Sequence, residues 1–191
     1  MKVLIVFAHP NNKDSFNKSI LNSTVNFLSK EKIDFDLIDL YAEKFNPVLE
    51  YDELYKGKIE EKVISYQGKV KQSDLIVFIH PLWWYNFPAI LKGFIDRVFS
   101  YGFAYGEVNG KIEGLLNGKK VLIFTTLGES EEKCKSVCPC VSKTITSIFE
   151  FCKMKVVEHK LFYAIEYISD ELRKKYLEEV PEIIKRALEV R

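Results

Sequence analysis

Apolar runs and amphipathic stripes alternate along this chain from one end to the other. Continuous apolar runs at 2–8, 74–80 and 119–126 predict strands that are buried on both faces. Shorter segments at 33–40 and 155–162 predict two more strands. Helix-like stretches separate the strands: they begin at Phe16 and Pro88, and they cover 58–73, about 140–152 and 169–190.

Strict alternation of strands and helices predicts an α/β fold with five parallel strands and helices on both faces of the sheet. With 191 residues the chain is too short for a (β/α)₈ barrel, which needs roughly 250 residues, so we expect an open, doubly wound sheet. No repeat or linker interrupts the pattern, and we treat 1–191 as one domain. The glycines spaced over 102–118 predict a long loop, and Pro181 predicts a kink in the last helix.

The composition excludes several classes of partner but does not indicate a reaction. Apolar residues make up 47% of the chain and charged residues 29%, and the net charge is +1, so nothing favours nucleic acid or an anionic membrane as a partner. The N-terminus has one lysine and only a short apolar run, unlike a signal peptide or a membrane span. We therefore expect a cytoplasmic protein without membrane insertion.

The first loop on the ligand side is polar. In an open α/β sheet the ligand lies beyond the carboxyl ends of the strands, and 9–17 follows the first strand. The first glycine of the chain is Gly57, so this loop is neither a dinucleotide fingerprint nor a P-loop. It runs into a helix, where free N–H groups favour an anion, and Ser15 and Asn17 could hold a phosphate. The alternative is that Asp14 or Ser15 only caps the helix.

The second loop contains both tryptophans of the chain, in the order Trp83-Trp84-Tyr85. Consecutive side chains cannot all face one core, so some of these rings must be exposed in a cleft or at a subunit interface. Exposed rings suit a planar ligand that stacks. After the fourth predicted strand, the hydroxyls of Thr125 and Thr126 suit hydrogen bonds to a polar ring edge.

Histidines and cysteines offer weaker signals. His9 and His80 each lie at a ligand-side strand end, whereas His159 on a predicted strand is expected to be structural. The cysteines Cys134, Cys138 and Cys140 have a spacing that matches neither zinc nor iron–sulfur sites, so no metal is expected. Free thiols are the default for such a chain, and a redox-active pair is the alternative.

Four segments together resemble a known family. PLWWYNFPAILKGFIDRVFSYGFAYG at 81–106 is similar to the signature of the NAD(P)H:quinone oxidoreductases of the flavodoxin-like fold. AHPNNKDSFN at 8–17 resembles the flavin-phosphate loop of that family, TTLG at 125–128 resembles its TTGG loop, and FNPVL at 45–49 also fits. The resemblance covers essentially the whole chain and implies a flavodoxin-like fold with a five-stranded parallel sheet.

The resemblance also implies a cofactor, FAD or FMN, and NAD(P)H as co-substrate. A hydride would pass through the flavin to a quinone or a similar flat acceptor in a ping-pong cycle, and backbone N–H groups at 82–85 would stabilise the reduced flavin. By resemblance, the phosphate or ribityl part would contact His9, Ser15, Phe16 and Asn17. The isoalloxazine would contact Pro81, Leu82, Trp83, Trp84 and Tyr85 on one side and Thr125, Thr126 and Gly128 at the other edge.

The family is dimeric, which implies a homodimer with the active site at the interface and Tyr105 reaching towards the partner. One departure concerns the proton: the animal enzymes carry a Tyr and a His after TTGG, whereas 127–143 contains neither. His80 and Tyr105 are the remaining candidates for a proton donor, and solvent water could also serve. A flavodoxin-type electron carrier and a flavin-binding regulatory subunit of an ion-efflux system stay open as alternatives.

Overall fold

The central sheet of the computed structural model, which describes residues 1–190, has five parallel strands in the order β2-β1-β3-β6-β7. This confirms the predicted architecture and places the three most apolar strands in the middle. The strands are β1 (Lys2–Phe7), β2 (Asp34–Asp39), β3 (Leu75–Pro81), β6 (Lys120–Thr126) and β7 (Lys155–Phe162).

Residues 1–190 contain seven helices, and five of them, α1, α3, α4, α6 and α7, pack on the two faces of the sheet. Because side chains alternate along a strand, β1 sends Val3, Ile5 and Phe7 into one core and Leu4 and Val6 into the other. The first core contains side chains of α1 and α7, and the second contains side chains of α3, α4 and α6. The helices are α1 (Phe16–Lys30), α2 (Tyr51–Lys56), α3 (Glu61–Gln72), α4 (Ala89–Val98), α5 (Glu131–Cys134), α6 (Cys138–Phe151) and α7 (Asp170–Glu189).

The helix boundaries lie close to the sequence prediction, with two additions. The short helices α2 and α5 were not predicted, and α7 contains Pro181 within its span. Among residues 1–190, none of the helices combines the length and the apolar character that crossing a bilayer requires.

The glycine-rich segment is not a loop, so that prediction is wrong. Strands β4 (Tyr105–Val108) and β5 (Lys111–Gly114) pair in antiparallel fashion as a hairpin. Its turn is Asn109-Gly110, with φ values of 52° and 76°, the left-handed backbone that a two-residue hairpin turn needs. The Asn-Gly signal was present in the sequence but was outweighed by the number of glycines nearby.

The sheet order sets the position of the site. The chain leaves β1 for β2 on one side and later returns to β3 on the other, so β1 and β3 flank the switch point where ligands bind in open sheets. Phe7 is in register with Ile79, and Pro81 with Thr126. The three loops that follow β1, β3 and β6 therefore start at the same edge of the sheet.

Candidate functional site

Two adjoining cavities open at this edge of the sheet, an inner one of about 300 Å³ and an outer one of about 560 Å³. Both are lined by Leu82, Leu127 and Gly128, so together they form one cleft. Of the residues predicted to contact a cofactor, all except Thr125 line this cleft. The inner cavity has His9, Ser15, Phe16, Asn17, Pro81, Leu82, Trp83, Thr126 and Gly128, and the outer cavity adds Trp84 and Tyr85.

The N-terminus of α1 forms one wall of the inner cavity. Ser15 caps the helix, since its Oγ accepts a hydrogen bond from the N–H of Lys18 at 3.1 Å. The capping role considered for Ser15 is thus confirmed. The N–H groups of Phe16 and Asn17, in the first turn, have no intrahelical acceptor and carry the positive end of the helix dipole. This end of the cavity can therefore hold an anion.

Asn17 supplies a second polar feature of the inner cavity. Its side-chain amide bonds the Thr126 hydroxyl at 2.7 Å, and its Oδ1 is buried without a partner. In the part of the chain that the structure describes, no other buried side-chain polar atom lacks a partner. Buried polar groups are nearly always paired, so this atom indicates a site that a ligand completes. If the amide turns over, the Thr126 hydroxyl donates to Oδ1 and the NH₂ group faces the cavity.

The aromatic residues form a tight turn, Trp83–Asn86, which we call the aromatic turn. The N–H of Trp83 bonds the carbonyl of Asn86 and the reverse bond also forms, both at 3.0 Å. The two central residues, Trp84 and Tyr85, have φ values of 50° and 57°. Glycine or asparagine normally occupies such positions. Two bulky residues here store strain, which is typical of functional sites.

The turn leaves the rings facing the cleft and the solvent. The Trp84 side chain is 97% exposed, and Tyr85 lies over the outer cavity with its hydroxyl 3.4 Å from Glu129 Oε1. The N–H of Leu82 donates to the Thr126 carbonyl at 2.7 Å, and that of Trp83 is used within the turn. Within 82–85, a segment that the structure describes in full, only the N–H groups of Trp84 and Tyr85 have no partner. The expectation that all the N–H groups of this segment serve a flavin is therefore too broad.

Thr125 faces away from the cleft, which corrects its predicted place at a ring edge. Its side chain is fully buried, and its Oγ1 lies 3.1 Å from His80 Nε2 and 2.9 Å from His159 Nε2. His159 Nδ1 lies 2.8 Å from Ser142 Oγ. We call this series, Ser142–His159–Thr125–His80, the buried polar chain. It lies behind the wall of the cleft rather than in it.

Both rings of the buried polar chain are neutral. Burial lowers the pKa of His80 to about 3 and that of His159 to about 4. His80 is completely buried and its Nδ1 lies 2.9 Å from the Pro81 carbonyl, so it has no free nitrogen to give a proton to a substrate. The geometry thus argues against His80 as a proton donor. Burial also lowers the pKa of His9, whose Nδ1 bonds the backbone of Asn11.

Tyr105 lies away from the cleft. It lines a separate cavity of about 420 Å³ together with Phe99, Phe151 and residues of α4 and α6. Its ring contacts Tyr101 and Phe151, with centroids 5.7 and 5.4 Å away. Within one chain Tyr105 therefore cannot serve the cleft, and its candidate catalytic role stays a prediction that requires a second copy.

The cysteines differ from the default. Cys134 and Cys138 form a disulfide, with Cα atoms 5.2 Å apart, whereas Cys140 is a free exposed thiol and Cys152 a free buried one. The disulfide packs in a small apolar cluster with Leu127. Across residues 1–190, no group of three or more His, Cys, Asp or Glu side chains is placed to hold a metal ion.

The sequence prediction missed several residues of the cleft. The segment after β7 contributes Ala164 and Tyr167 to the outer cavity and Ile165 and Glu166 to the inner one. Lys133 and Ser130 complete the outer cavity. A signal existed, since β7 is also a parallel strand and its carboxyl end shares the edge of the others.

The strand order β2-β1-β3-β6-β7, with a cleft at the switch point between β1 and β3, is the order of the flavodoxin-like class of α/β proteins. The family model described as a flavodoxin-like fold (Flavodoxin_2) matches residues 1–184. A protein from Haemophilus influenzae named as an uncharacterized NAD(P)H oxidoreductase is 39% identical, over 93% of this chain and 91% of its own length. The human ribosyldihydronicotinamide dehydrogenase (quinone) is 35% identical, over 91% and 86%.

Solved structures agree. A Streptococcus mutans crystal structure is 38% identical, with a TM-score of 0.83, over 97% of this chain and all of the other. The NAD(P)H:quinone oxidoreductase from Methanothermobacter marburgensis is 26% identical, also with a TM-score of 0.83, over 100% and 98%. This chain belongs to the NAD(P)H:quinone oxidoreductase family of the flavodoxin-like fold, and it is an oxidoreductase.

Proposed function

We propose that the protein binds a flavin, FAD or FMN, in the cleft and uses it to oxidise NAD(P)H and reduce a quinone or another flat acceptor. The observation that carries the proposal is the cleft itself, which joins an anion-binding helix end to an aromatic turn. One end suits a phosphate, and the other suits a planar ring system. A ligand that has both parts matches the cleft in polarity and in shape.

The residues fit the cofactor at both ends. The free N–H groups of Phe16 and Asn17 would bind a phosphate or ribityl oxygen, and the unpartnered amide atom of Asn17 would gain a partner. The N–H groups of Trp84 and Tyr85 would donate to the polar edge of the ring system. The chemistry that a bound flavin would supply is hydride transfer, from NAD(P)H to the flavin and from there to the acceptor.

The outer cavity suits the co-substrate and the acceptor. It adjoins the inner one and is lined by Tyr85, Tyr167, Lys133 and Glu129. A ring held there would lie against the same face of the cleft, so NAD(P)H and the acceptor would bind in turn, as a ping-pong cycle requires. With His80 buried and Tyr105 outside the cleft, neither predicted donor reaches this cavity, so the proton would come from water or from a side chain that lines it.

We also propose a two-fold homodimer. Tyr101 and Phe151 are each more than half exposed, and both contact Tyr105, which lines the separate cavity together with Phe151. Symmetric dimers are the commonest assembly, and exposed apolar patches of this kind mark interfaces. Light scattering at micromolar concentration should give twice the chain mass, and Phe151→Glu should give the single chain mass.

The test of the proposed function begins with the apoprotein. Titration with FAD and with FMN should quench flavin fluorescence, and the reconstituted protein should oxidise NADH or NADPH in the presence of a soluble quinone. A protein that binds neither flavin would contradict the proposal. Binding without NAD(P)H oxidation would instead favour a flavodoxin-type electron carrier.

A further inference from the structure

Donor and acceptor roles along the buried polar chain follow from one fixed end. The Pro81 carbonyl can only accept, so His80 Nδ1 must carry the proton and Nε2 of this neutral ring must accept. The Thr125 hydroxyl has one proton, which it donates to His80 Nε2. Thr125 Oγ1 must therefore accept from His159 Nε2–H.

The same assignment of donors and acceptors extends to Ser142, the other end of the buried polar chain. Because Nε2 of neutral His159 is protonated, its Nδ1 accepts, and the Ser142 hydroxyl donates to it. Every member then has a partner and only one polarity is allowed. If the donor and acceptor roles along the buried polar chain were exchanged, a lone pair of His80 Nδ1 would face the Pro81 carbonyl oxygen. The buried polar chain is thus a fixed support and not a proton relay.

His80 contacts both ends of the loop that contains the aromatic turn. At the beginning, its Nδ1–H bonds the Pro81 carbonyl, while the N–H of the same peptide bonds the Thr126 carbonyl. At the end, its ring lies edge-on to the ring of Phe87, with centroids 4.9 Å apart. Phe87 is buried and follows the turn directly.

We propose that His80 is a positioning residue that holds the aromatic turn in place, while the buried polar chain fixes the orientation of its ring. The turn needs such support, because two bulky residues with left-handed backbone persist only where the surroundings over-determine them. A ring that could flip would lose the Pro81 bond and release one end of the loop. The effect on the turn does not depend on a flavin, whereas the effect on ligand affinity rests on the proposed function.

The two tryptophans make the turn directly observable. Since Trp83 and Trp84 are the only tryptophans of the chain, Trp84→Phe leaves a single reporter on the turn. In that background we would measure the time-resolved fluorescence anisotropy of Trp83 and its quenching by acrylamide, both on the apoprotein. Thr125→Val and His80→Phe should each loosen Trp83, with a quenching constant about twofold higher.

Two matched variants separate positioning from general destabilisation. Thr24→Val removes another buried threonine hydroxyl, bonded to the Ile20 carbonyl within α1, and should leave Trp83 as rigid as before. Thr125→Ser keeps the hydroxyl and should restore rigidity. His80→Phe keeps an aromatic ring and serves as the second test if Thr125→Val does not fold.

The outcomes are decisive in both arms. If folded Thr125→Val and His80→Phe leave Trp83 no more mobile than Thr24→Val does, or if Thr125→Ser loosens it as much as valine, His80 has no positioning role. In the second arm, flavin affinity should fall about tenfold in Thr125→Val, although this side chain does not line the cleft. A wild-type protein that binds no flavin would contradict the proposed function and leave the fluorescence result standing.

Discussion

Two neighbouring threonines at the end of β6 stand in opposite chemical surroundings. Thr125 lies between two histidines in a series of side chains that all have hydrogen-bond partners, and Thr126 lies on the cleft, bonded to an asparagine whose other amide atom has no partner. Adjacent strand residues face opposite sides of a sheet. One residue of chain therefore separates a completed scaffold from an incomplete binding surface.

This difference shows where the protein has kept bonding capacity for a ligand. A buried polar network that is fully satisfied rigidifies its surroundings, and an unsatisfied buried atom destabilises unless something binds it. The paired side chains around Thr125 thus hold the wall of the cleft in place, and the side chains around Thr126 keep hydrogen-bonding groups free for a ligand. Substitutions on the two sides should affect different measurements.

The largest effect we expect is on stability, from Thr125→Val. It leaves the buried His80 Nε2 and the partly buried His159 Nε2 without a partner, and each lost partner costs about 1–3 kcal/mol, so the free energy of unfolding should fall by roughly 2–6 kcal/mol. Thr126→Val, which strands only the Asn17 amide beside an open cavity, should cost about 1 kcal/mol. Urea unfolding of the two variants measures both values, and equal losses would contradict the comparison.

The next effect concerns the ligand side. Asn17→Ala removes the unpartnered Oδ1 and should weaken flavin affinity by about 1.5–3 kcal/mol, roughly 10–100-fold. It also unpairs the Thr126 hydroxyl, so the free energy of unfolding should fall by only about 1 kcal/mol, as in Thr126→Val. Asn22→Ala, on an exposed position of the same helix, is the control and should leave flavin affinity unchanged. Flavin fluorescence titration measures both, and tight binding by Asn17→Ala would show that the phosphate lies elsewhere.

The sequence predicted the five strands of the sheet, the three strands that are buried on both faces and most of the residues that line the cleft. Apolar runs and strand-end loops are local signals, which is why these features could be predicted. The sequence prediction placed Thr125 wrongly although the rule that corrects it is equally local. Strand alternation allows only one of Thr125 and Thr126 to face the cleft. The resemblance matched the pair as a motif, and a motif does not say which member points where.

Other features could not be read from local patterns. The unpaired state of Asn17 depends on Thr126, 109 residues away, and the buried polar chain joins residues from β3, β6, α6 and β7. The hairpin was missed for a different reason, since its Asn-Gly turn was visible but the glycine spacing suggested a loop. Long-range contacts and competing local signals are thus the two sources of error.

The next comparison concerns the pH dependence of stability. The folded pKa values of His80 and His159, about 3 and about 4, lie below the usual value near 6.5, so in this window the folded protein binds fewer protons than the unfolded chain. The free energy of unfolding should therefore fall as the pH is lowered from about 6.5 towards 4.

His159→Gln isolates one site of this dependence. It should reduce the slope near pH 5 by about one proton, or about 1.4 kcal/mol per pH unit, relative to wild type. Burial also lowers the pKa of His9, and that contribution stays in both proteins and cancels in the difference. Urea unfolding across this range measures the slope, and identical slopes would mean that His159 titrates normally in the folded protein.

The smallest effect should come from the cysteines, which lie on neither side of the comparison. Unreduced, denatured protein should react with two equivalents of an alkylating reagent, at Cys140 and Cys152, because Cys134 and Cys138 are joined. In the native protein Cys140 should react first, since it is exposed and burial raises the pKa of Cys152 to about 11.

Cys140→Ser does not alter the lining of the cleft, so quinone-dependent NAD(P)H oxidation should stay within about tenfold of wild type. A loss beyond about 100-fold, the scale of an acid–base or nucleophilic role, would instead make this thiol part of the reaction and would move the site beyond the cleft described above.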